Sequence, residues 1–481
     1  MFTRPAIAAL GLSLVLSVGV TRAQNDHFDQ LPDLGSQASN FLSEVDAEKL
    51  GKAFIRHSRY QLPYISDPEL VGYINRLGQR LLEVSEDAGK EYNFYLIDNN
   101  VINAFAVPGG HIAMHTGILI KSESESELAS VIAHEISHVT QSHISRKLEN
   151  TRFDSWLALG ALLAAAAAGG ADAAQAAFGV TNASIIDRQL TYSRSYETEA
   201  DSLGIRLLSR AGFDTNAMPR FFKRLLDESR INESHAPEFL RSHPLTINRI
   251  AESAERVRAY PKAGPQNQDE FLLMQAKATA GYANDPEIVR DRYFADIKQG
   301  DDSLPTRYGY ALALSQNGEF DKARTAIDAL LSEYPKHVSI RLIQADNELE
   351  ANKIDLGLAQ LRSLYEEQTA RGNHMIDIYF ANALVLTKHN EEAIPILRSA
   401  IANNREEPFF HILLSRAYGE TGQEMRSFHE RGEYHYLRGN HEFSLKQFKR
   451  AQSLAESDYD KARLSARIED VENELAELKN L

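Results

Sequence analysis

The sequence His134-Glu135-Ile136-Ser137-His138 is the stretch from which the rest of this chain is interpreted. A helix turns by about 400° in four residues, so it presents both imidazoles on one face, one turn apart. Neutral imidazole nitrogens bind zinc, and a catalytic zinc site uses three protein ligands and leaves one position for water. Glu135 lies on the adjoining face, where its carboxylate can take a proton from that water. The stretch therefore predicts half of a zinc site inside a helix.

The flanking sequence has to show that the stretch is helical, because chance also produces a pattern of this length. Ser122 or Ser124 can cap a helix, and Glu125 or Glu127 then completes a capping box three residues later. Apolar residues continue at helical spacing on both sides, at Leu128, Val131, Ile132, Val139 and Ile144. We therefore predict that the two histidines project from the middle of a helix.

The third zinc ligand has to come from a distant part of the chain. The extended pattern that supplies it locally needs glycine at position 141 and histidine at position 144, where this chain has Gln141 and Ile144. His143 lies about 140° around a continuous helix from His138, so a surface histidine is predicted there.

An acidic segment provides a candidate for that ligand. Glu197-Thr198-Glu199-Ala200-Asp201 opens a predicted helix in which Glu197 and Asp201 share a face, while Glu199 points elsewhere. We predict that Glu197 is the third zinc ligand and that Asp201 accepts the other N–H of a ligand histidine. Taken alone, the segment is better explained as a solvated acidic helix start, which the helix dipole favours. Beside a histidine pair, the ligand interpretation prevails.

The composition predicts a soluble protein of an envelope compartment. The chain has 481 residues, enough for two or three domains, and its net charge of −15 without a basic run argues against a nucleic-acid partner. It has no cysteine, which excludes disulfides and a lipid-modified amino-terminal cysteine. Residues 1–23 combine Arg4, an apolar run from Ala6 to Val20 and Ala23 before Gln24, which is typical of a cleaved signal peptide.

Residues 24–262 are predicted to form an α+β domain. The third predicted strand leads straight into the motif helix, and an extended peptide is expected to pair with the edge of that strand. The Ala- and Gly-rich segment from Ser155 to Val180 predicts a helical hairpin that can make peripheral membrane contact, with a membrane span as the alternative. Periodicity predicts helices from Ser43 to Tyr60 and Pro68 to Glu86, and strands from Tyr92 to Ile97, Ile102 to Val107 and His111 to Ile120.

Residues 263–481 are predicted to form an all-helical repeat domain. Pro261-Lys262-Ala263-Gly264-Pro265 marks the boundary, and helical apolar spacing continues from there to the end. Small and aromatic residues recur at tetratricopeptide spacing, and the concave face of such a solenoid normally binds a partner or an unfolded client. The matching sets are Ala311, Gly318, Phe320, Ala323 and Pro335; Ala381, Leu384 and Ala393; and Gly432, Gly439, Ser444, Phe448 and Ala451.

Four separated motifs together resemble the gluzincin peptidases related to the CAAX prenyl endopeptidase. They are Asn103-Ala104-Phe105-Ala106-x-Pro108-Gly109-Gly110, His134-Glu135-x-x-His138, Glu197-x-x-x-Asp201 and Ser242-His243-Pro244 with Arg249. The resemblance implies that His134, His138 and Glu197 bind one Zn²⁺ per chain. It also implies that Glu135 is the general base and that Asp201 supports the ligands.

The same resemblance leaves the roles of His243 and Arg249 open, although the family pattern H-P-x-x-x-x-R is intact there. His243 can close the open zinc position, donate to the tetrahedral oxyanion, or make only a structural hydrogen bond at a helix entry. Arg249 can steady an oxyanion or a substrate carbonyl, or it can pair with an acid in the fold.

Many members of this family are embedded in membranes, whereas a signal peptide with carboxy-terminal helical repeats is similar to its periplasmic members. This second resemblance extends over essentially the whole chain. It implies an α+β zincin-like metallopeptidase domain followed by an all-α tetratricopeptide-repeat solenoid. It further implies a periplasmic zinc endopeptidase whose substrates are unfolded or misfolded outer-membrane polypeptides and whose partner is the barrel assembly machinery. The alternatives are a chaperone or scaffold with a normally closed zinc site, and a non-proteolytic, zinc-stabilised envelope protein.

Overall fold

The computed structural model describes residues 43–149, 194–231, 239–263, 268–371 and 373–479. These residues all belong to one compact unit, Ala38–Leu481. The predicted signal peptide and the predicted hairpin from Ser155 to Val180 lie outside the described residues. Among the helices that are described, none is long and apolar enough to cross a membrane.

Two capped helices precede the sheet, and both were predicted. The hydroxyl of Ser43 accepts the N–H of Asp46 at the start of the first helix. The carboxylate of Asp67 accepts two N–H groups at the start of the second, with Pro68 in the first turn. The helices are α1 (Glu44–Gln61) and α2 (Pro68–Leu82), so the second ends before the predicted Glu86.

A three-stranded sheet follows, made of β1 (Asn93–Ile97), β2 (Ala104–Val107) and β3 (His111–His115). The strand order is β1-β3-β2, with β3 parallel to β1 and antiparallel to β2. Gly109 and Gly110 form the β2–β3 turn with φ of 80° and 77°, where only glycine is unstrained. Because β3 is the central strand, the predicted peptide pairing with its edge is wrong, and β1 and β2 are the outer strands within the described residues.

The third strand is shorter than predicted, because Thr116–Lys121 forms helix α3 instead. A Cβ at Gly117 would lie 2.5 Å from the carbonyl oxygen of Asn100, so glycine permits this close approach. These tertiary contacts outweigh the strand preference of the β-branched residues in the segment. At the end of α3, the side-chain amide of Gln275 donates to the carbonyls of Leu119, Ile120 and Ser122 at 3.0, 3.1 and 2.7 Å.

The motif helix α4 spans Glu125–Thr140, so its predicted helical placement is confirmed. Its N-cap is Ser124, whose hydroxyl accepts the N–H of Glu127, and the Glu127 carboxylate accepts the N–H of Glu123. All of α4 up to His138 is buried, which places the motif inside the protein. The helices around and after it are α5 (His143–Glu149), α6 (Arg194–Arg210), α7 (Ala217–Ile231), α8 (Phe239–Ser242) and α9 (Ile247–Arg256).

From Asp269 onwards the described chain consists of paired helices in a tetratricopeptide-like solenoid. Left-handed residues close the turns at Gly318, Asn352, Lys388 and Gly422, about every 34 residues, which is the length of one repeat unit. The helices are α10 (Asp269–Gly281), α11 (Pro286–Lys298), α12 (Leu304–Gln316), α13 (Phe320–Glu333), α14 (Val338–Glu350), α15 (Ile354–Thr369), α16 (Met375–Leu386), α17 (Asn390–Asn403), α18 (Pro408–Glu420), α19 (Glu424–Leu437), α20 (His441–Leu454) and α21 (Asp458–Lys479).

The largest hydrophobic core passes from the sheet region into the first repeats. It contains apolar residues of α2, β1–β3, α4, α6 and α7 and continues through Phe271 and Tyr308 to Ile343. The boundary at residue 262 therefore stays a prediction, because one cluster of buried side chains extends on both sides of it.

The last repeats return to α1. The guanidinium of Arg59 donates to the carbonyl of Glu406 at 2.6 Å, and Arg438 donates to the carbonyl of Arg59 at 3.3 Å. A Cβ at Gly439 would lie 2.8 Å from the carbonyl of Arg56, so glycine allows the two backbones to touch. Beside this contact lies a cleft of about 560 Å³, lined by Tyr64, Tyr95, Phe409 and Tyr434 among others.

Candidate metal centre

Three segments bring the predicted site residues together. Helix α4 carries His134, Glu135 and His138, and helix α6 carries Glu197 and Asp201. His243 follows α8 directly, and Arg249 lies in the first turn of α9. All seven side chains are buried. Residues separated by more than a hundred positions therefore share one interior site.

Four ligand atoms, one each from His134, His138, Glu197 and His243, lie within 4.8 Å of one another. The Nε2 atoms of His134 and His138 are 3.0 Å apart. Two nitrogens on a tetrahedral zinc ion stand about 3.3 Å apart, given zinc–nitrogen distances near 2.05 Å. The residues present thus fit a zinc ion, and a bound cation would reconcile two ring nitrogens that otherwise face each other.

Asp201 and Arg249 contact two of these ligands, His134 and Glu197, and pair with each other. Asp201 Oδ1 lies 3.0 Å from Nδ1 of His134, so it can accept that N–H and leave Nε2 for the metal. Arg249 donates to both carboxylate oxygens of Asp201 at 2.9 Å, and its Nη1 lies 2.7 Å from Glu197 Oε2. Of the alternatives open for Arg249, the geometry matches an ion pair within the fold.

His243 lies between the ligand cluster and the predicted general base, Glu135. Its Nδ1 lies 2.9 Å from Glu197 Oε1 and 3.2 Å from His134 Nε2, and its Nε2 lies 3.4 Å from Glu135 Oε1. The ring stacks on Phe239 with centroids 4.6 Å apart. Arg249 also donates to the carbonyl of Pro244 at 2.8 Å, which holds the loop behind His243 in place.

The pKa shifts of Glu197 and His134 reflect strong interactions among buried charges in the cluster. Burial opposes ionisation of Glu197, but the charge of His243 and hydrogen bonds from His134 and His138 hold the pKa of this carboxyl well below its ordinary value. Burial also opposes a charged His134, yet hydrogen bonds to Asp201 and Glu197 raise its pKa to about 10. Glu197 is thus held ionised among three histidine rings, a donor set that suits a divalent cation such as zinc.

Glu135 is the predicted general base, and its surroundings shift the pKa of its carboxyl. Burial raises the pKa of its carboxyl above the ordinary value, while charge on His243 and His134 opposes this. A hydrogen bond from the backbone of Ala106 also lowers this pKa, and His243 Nε2 lies 3.4 Å from Glu135 Oε1. A buried carboxylate with a raised pKa is suited to accept the proton of a water molecule, as the predicted role requires.

The predicted surface position of His143 is wrong, because its side chain is fully buried. The prediction assumed one continuous helix, but α4 ends at Thr140 and Ser142 is left-handed, with φ of 50°. This turn brings Nδ1 of His143 to 2.8 Å from Nδ1 of His138. Helical spacing gives no warning of the turn.

The sequence of residues 68–257 matches peptidase family M48. The beta-barrel assembly-enhancing protease of Escherichia coli K12 is 31% identical over 466 residues, covering 95% of this chain and 94% of that protein. The putative beta-barrel assembly-enhancing protease of Vibrio cholerae is 37% identical over 456 residues, covering 93% of each. The chain belongs to peptidase family M48. A tetratricopeptide repeat protein from Parabacteroides merdae aligns with 51% of this chain at 13% identity and a TM-score of 0.28, covering 97% of that structure.

In this M48 metallopeptidase a cleft of about 340 Å³ reaches His138 from the end of α4. Its lining includes the acidic residues Glu44, Glu48, Asp87 and Glu91 and the basic residues Lys52 and Lys90. The M48 site therefore has one ligand at the wall of a cleft, while Glu135 and the other ligands are enclosed.

Proposed function

We propose that this M48 metallopeptidase is a periplasmic zinc endopeptidase that cleaves misfolded or stalled outer-membrane polypeptides and also assists their assembly. The buried cluster of His134, His138, Glu197 and His243 beside Glu135 carries the zinc endopeptidase proposal. The names of the Escherichia coli and Vibrio cholerae relatives support the barrel-assembly part. The predicted signal peptide supports the compartment.

His134, His138 and Glu197 would hold the zinc ion, with Asp201 and Arg249 orienting the ligands. A zinc ion bound there supplies a Lewis acid that polarises water and the substrate carbonyl. Glu135 takes the proton of the attacking water and returns it to the leaving amine, so that the carbon–nitrogen bond breaks without releasing an anion.

An extended substrate would lie along β2 (Ala104–Val107), the outer strand on the side of α4. Backbone pairing to a strand reads little sequence and requires a chain free of its own fold, which fits unfolded clients. All four residues of β2 are buried, as are the ligands, so the substrate needs a site that opens.

We assign the closing of the site to His243. Its ring lies 2.9 Å from Glu197 and 3.4 Å from Glu135, so it takes up the space between the ligands and the base in which a substrate carbonyl would have to bind. The position of His243 also favours a second function, in which the zinc site remains closed. In that case the solenoid acts as a scaffold for barrel assembly, and its partner is the barrel assembly machinery. The cleft of about 560 Å³ between sheet and repeats provides that scaffold with a binding surface.

Cleavage of casein, which lacks a stable fold, tests the proposal. The protein is compared with Glu135→Gln and His243→Ala, and zinc is measured in each. Stoichiometric zinc, loss of cutting in Glu135→Gln and faster cutting in His243→Ala would support a repressed peptidase. His389→Ala is the matched control, because His389 is exposed and far from the site. Unchanged cutting in Glu135→Gln would overturn the peptidase mechanism.

The substrate class needs its own comparison. One outer-membrane barrel protein is presented unfolded, by dilution from urea, and folded in detergent micelles. The proposal expects cleavage of the unfolded form and none of the folded form. If Glu135→Gln still promotes folding of the barrel while it cleaves nothing, the scaffold function is the correct one.

A further inference from the structure

His143 lies behind His138, on the side away from the ligand cluster. The Nδ1 atoms of the two rings are 2.8 Å apart, and Nε2 of His143 lies 3.1 Å from Glu199 Oε2. Arg146 donates to the same Glu199 oxygen at 3.2 Å. The four side chains form a continuous polar chain that begins at a predicted metal ligand, His138.

The direction of the hydrogen bonds in this chain follows from the ring atom that faces the cluster. Nε2 of His138 lies 3.0 Å from Nε2 of His134 and 3.5 Å from Glu197, so this nitrogen must be unprotonated to bind a metal. The proton of His138 is then on Nδ1, which donates to Nδ1 of His143. His143 consequently carries its own proton on Nε2 and donates it to the Glu199 carboxylate.

The reverse direction is incompatible with metal binding. If His143 donated from Nδ1, then Nδ1 of His138 would be the acceptor and its proton would move to Nε2, where the metal has to bind. Glu199 disfavours this arrangement, because an unprotonated Nε2 of His143 would face a carboxylate oxygen 3.1 Å away, two acceptors with no proton between them. Arg146 in turn stabilises the charge on Glu199.

The plane of the His143 ring is fixed as well. It stacks on Tyr196 with centroids 4.6 Å apart and an interplanar angle of 13°. The guanidinium of Arg146 lies 4.5 Å from the centroid of the same tyrosine ring. The acceptor atom is therefore held in one position relative to His138.

We propose that His143 is a positioning residue that sets the tautomer and ring orientation of His138, with Glu199 fixing the tautomer of His143 itself. His143 touches neither metal nor substrate in this scheme. His143 accepts the Nδ1–H of His138 as Asp201 accepts the Nδ1–H of His134, but the acceptor is a neutral ring and not a carboxylate. The inference rests on the ligand set of the proposed function.

The test measures zinc affinity by competition with a chelator in His143→Phe and His143→Asn. Phenylalanine keeps the ring and its stacking on Tyr196 but removes the acceptor. Asparagine loses the ring but places Oδ1 close to where Nδ1 was. We expect zinc affinity to fall about 10–100-fold in His143→Phe, as is usual when the partner of a ligand histidine is lost. His143→Asn should recover most of it.

Two further readouts separate positioning from general stability. The visible absorption of the cobalt-substituted protein reports ligand geometry and should change in His143→Phe but not in His143→Asn. The melting temperature of the metal-free proteins measures packing alone. His411→Phe is the matched control, because His411 is another buried histidine paired with a glutamate, Glu430, and lies in the repeats.

The outcomes distinguish this inference from the function on which it rests. Equal zinc affinity in His143→Phe and the parent protein would overturn the inference alone. So would an affinity in His143→Asn as low as in His143→Phe, because the acceptor would then not matter. A parent protein that binds no zinc would overturn the ligand set and this inference together.

Discussion

Lys277 joins the catalytic half of the chain to the repeats through a buried ion cluster, and its replacement by methionine should destabilise the whole fold. Its Nζ lies 2.5 Å from Glu69 and 2.9 Å from Asp67, and it donates to the hydroxyl of Tyr379 at 2.8 Å. Burial opposes its charge, but Glu69 and Asp67 raise the pKa of Lys277 well above its ordinary value. Methionine matches the stem of the lysine and removes the charge together with its N–H donors.

The magnitude follows from the groups left behind. At 2.9 Å and an effective dielectric constant of 20, one such pair attracts by about 6 kcal/mol, which the cost of desolvation largely offsets. Lys277→Met removes the attraction and leaves the two carboxylates unpaired, with side chains only 16% and 4% exposed. We expect a loss of about 3–5 kcal/mol in the free energy of unfolding.

Urea denaturation followed by far-UV circular dichroism measures this loss. Adding Glu69→Gln to Lys277→Met should restore part of the stability, with a coupling energy of about 2 kcal/mol between the two sites. Lys322→Met is the matched control, because the exposed Lys322 pairs with Glu319 at the surface and should cost less than about 1 kcal/mol. A loss in Lys277→Met no larger than in Lys322→Met would refute the reasoning.

Two further predictions concern packing and pH. Gly51→Ala should destabilise the fold by about 1–3 kcal/mol in urea denaturation, because the new Cβ would lie 2.1 Å from the carbonyl oxygen of Pro108. Burial opposes ionisation of Glu430, but hydrogen bonds from His411 and His429 lower its pKa to about 2. Its folded pKa is thus below the ordinary 4.5, so it contributes about 3 kcal/mol above pH 4.5 and loses this as the pH falls towards 2.

Each of these has its own control. Gly72→Ala should be neutral or stabilising, since a Cβ there would approach only the flexible end of Arg76. If Gly51→Ala were as stable as Gly72→Ala, α1 would not pack on the β2–β3 turn as described. For the pH effect, the stability gap between the parent protein and Glu430→Gln should narrow below pH 4.5. A gap that stays constant to pH 3 contradicts the assigned pKa.

Local spacing predicted the features that depend on neighbouring residues. The four-residue step between His134 and His138 places them on one helix face whatever surrounds the helix, and Ser124 caps that helix through its own side chain. The end of the third strand could not be predicted in this way. Thr116–Lys121 is helical because Gln275, more than a hundred residues away, satisfies its terminal carbonyls.

Residue spacing along the chain was enough to predict the helix with its histidine pair, the acidic helix that faces it, and the repeats. It could do so because donor type and helical spacing are local properties. The three-dimensional packing, in contrast, places His243 beside Glu135, pairs Arg249 with Asp201 and Glu197, and buries His143 against His138. These contacts depend on a left-handed turn and on packing between distant helices, which no spacing rule contains.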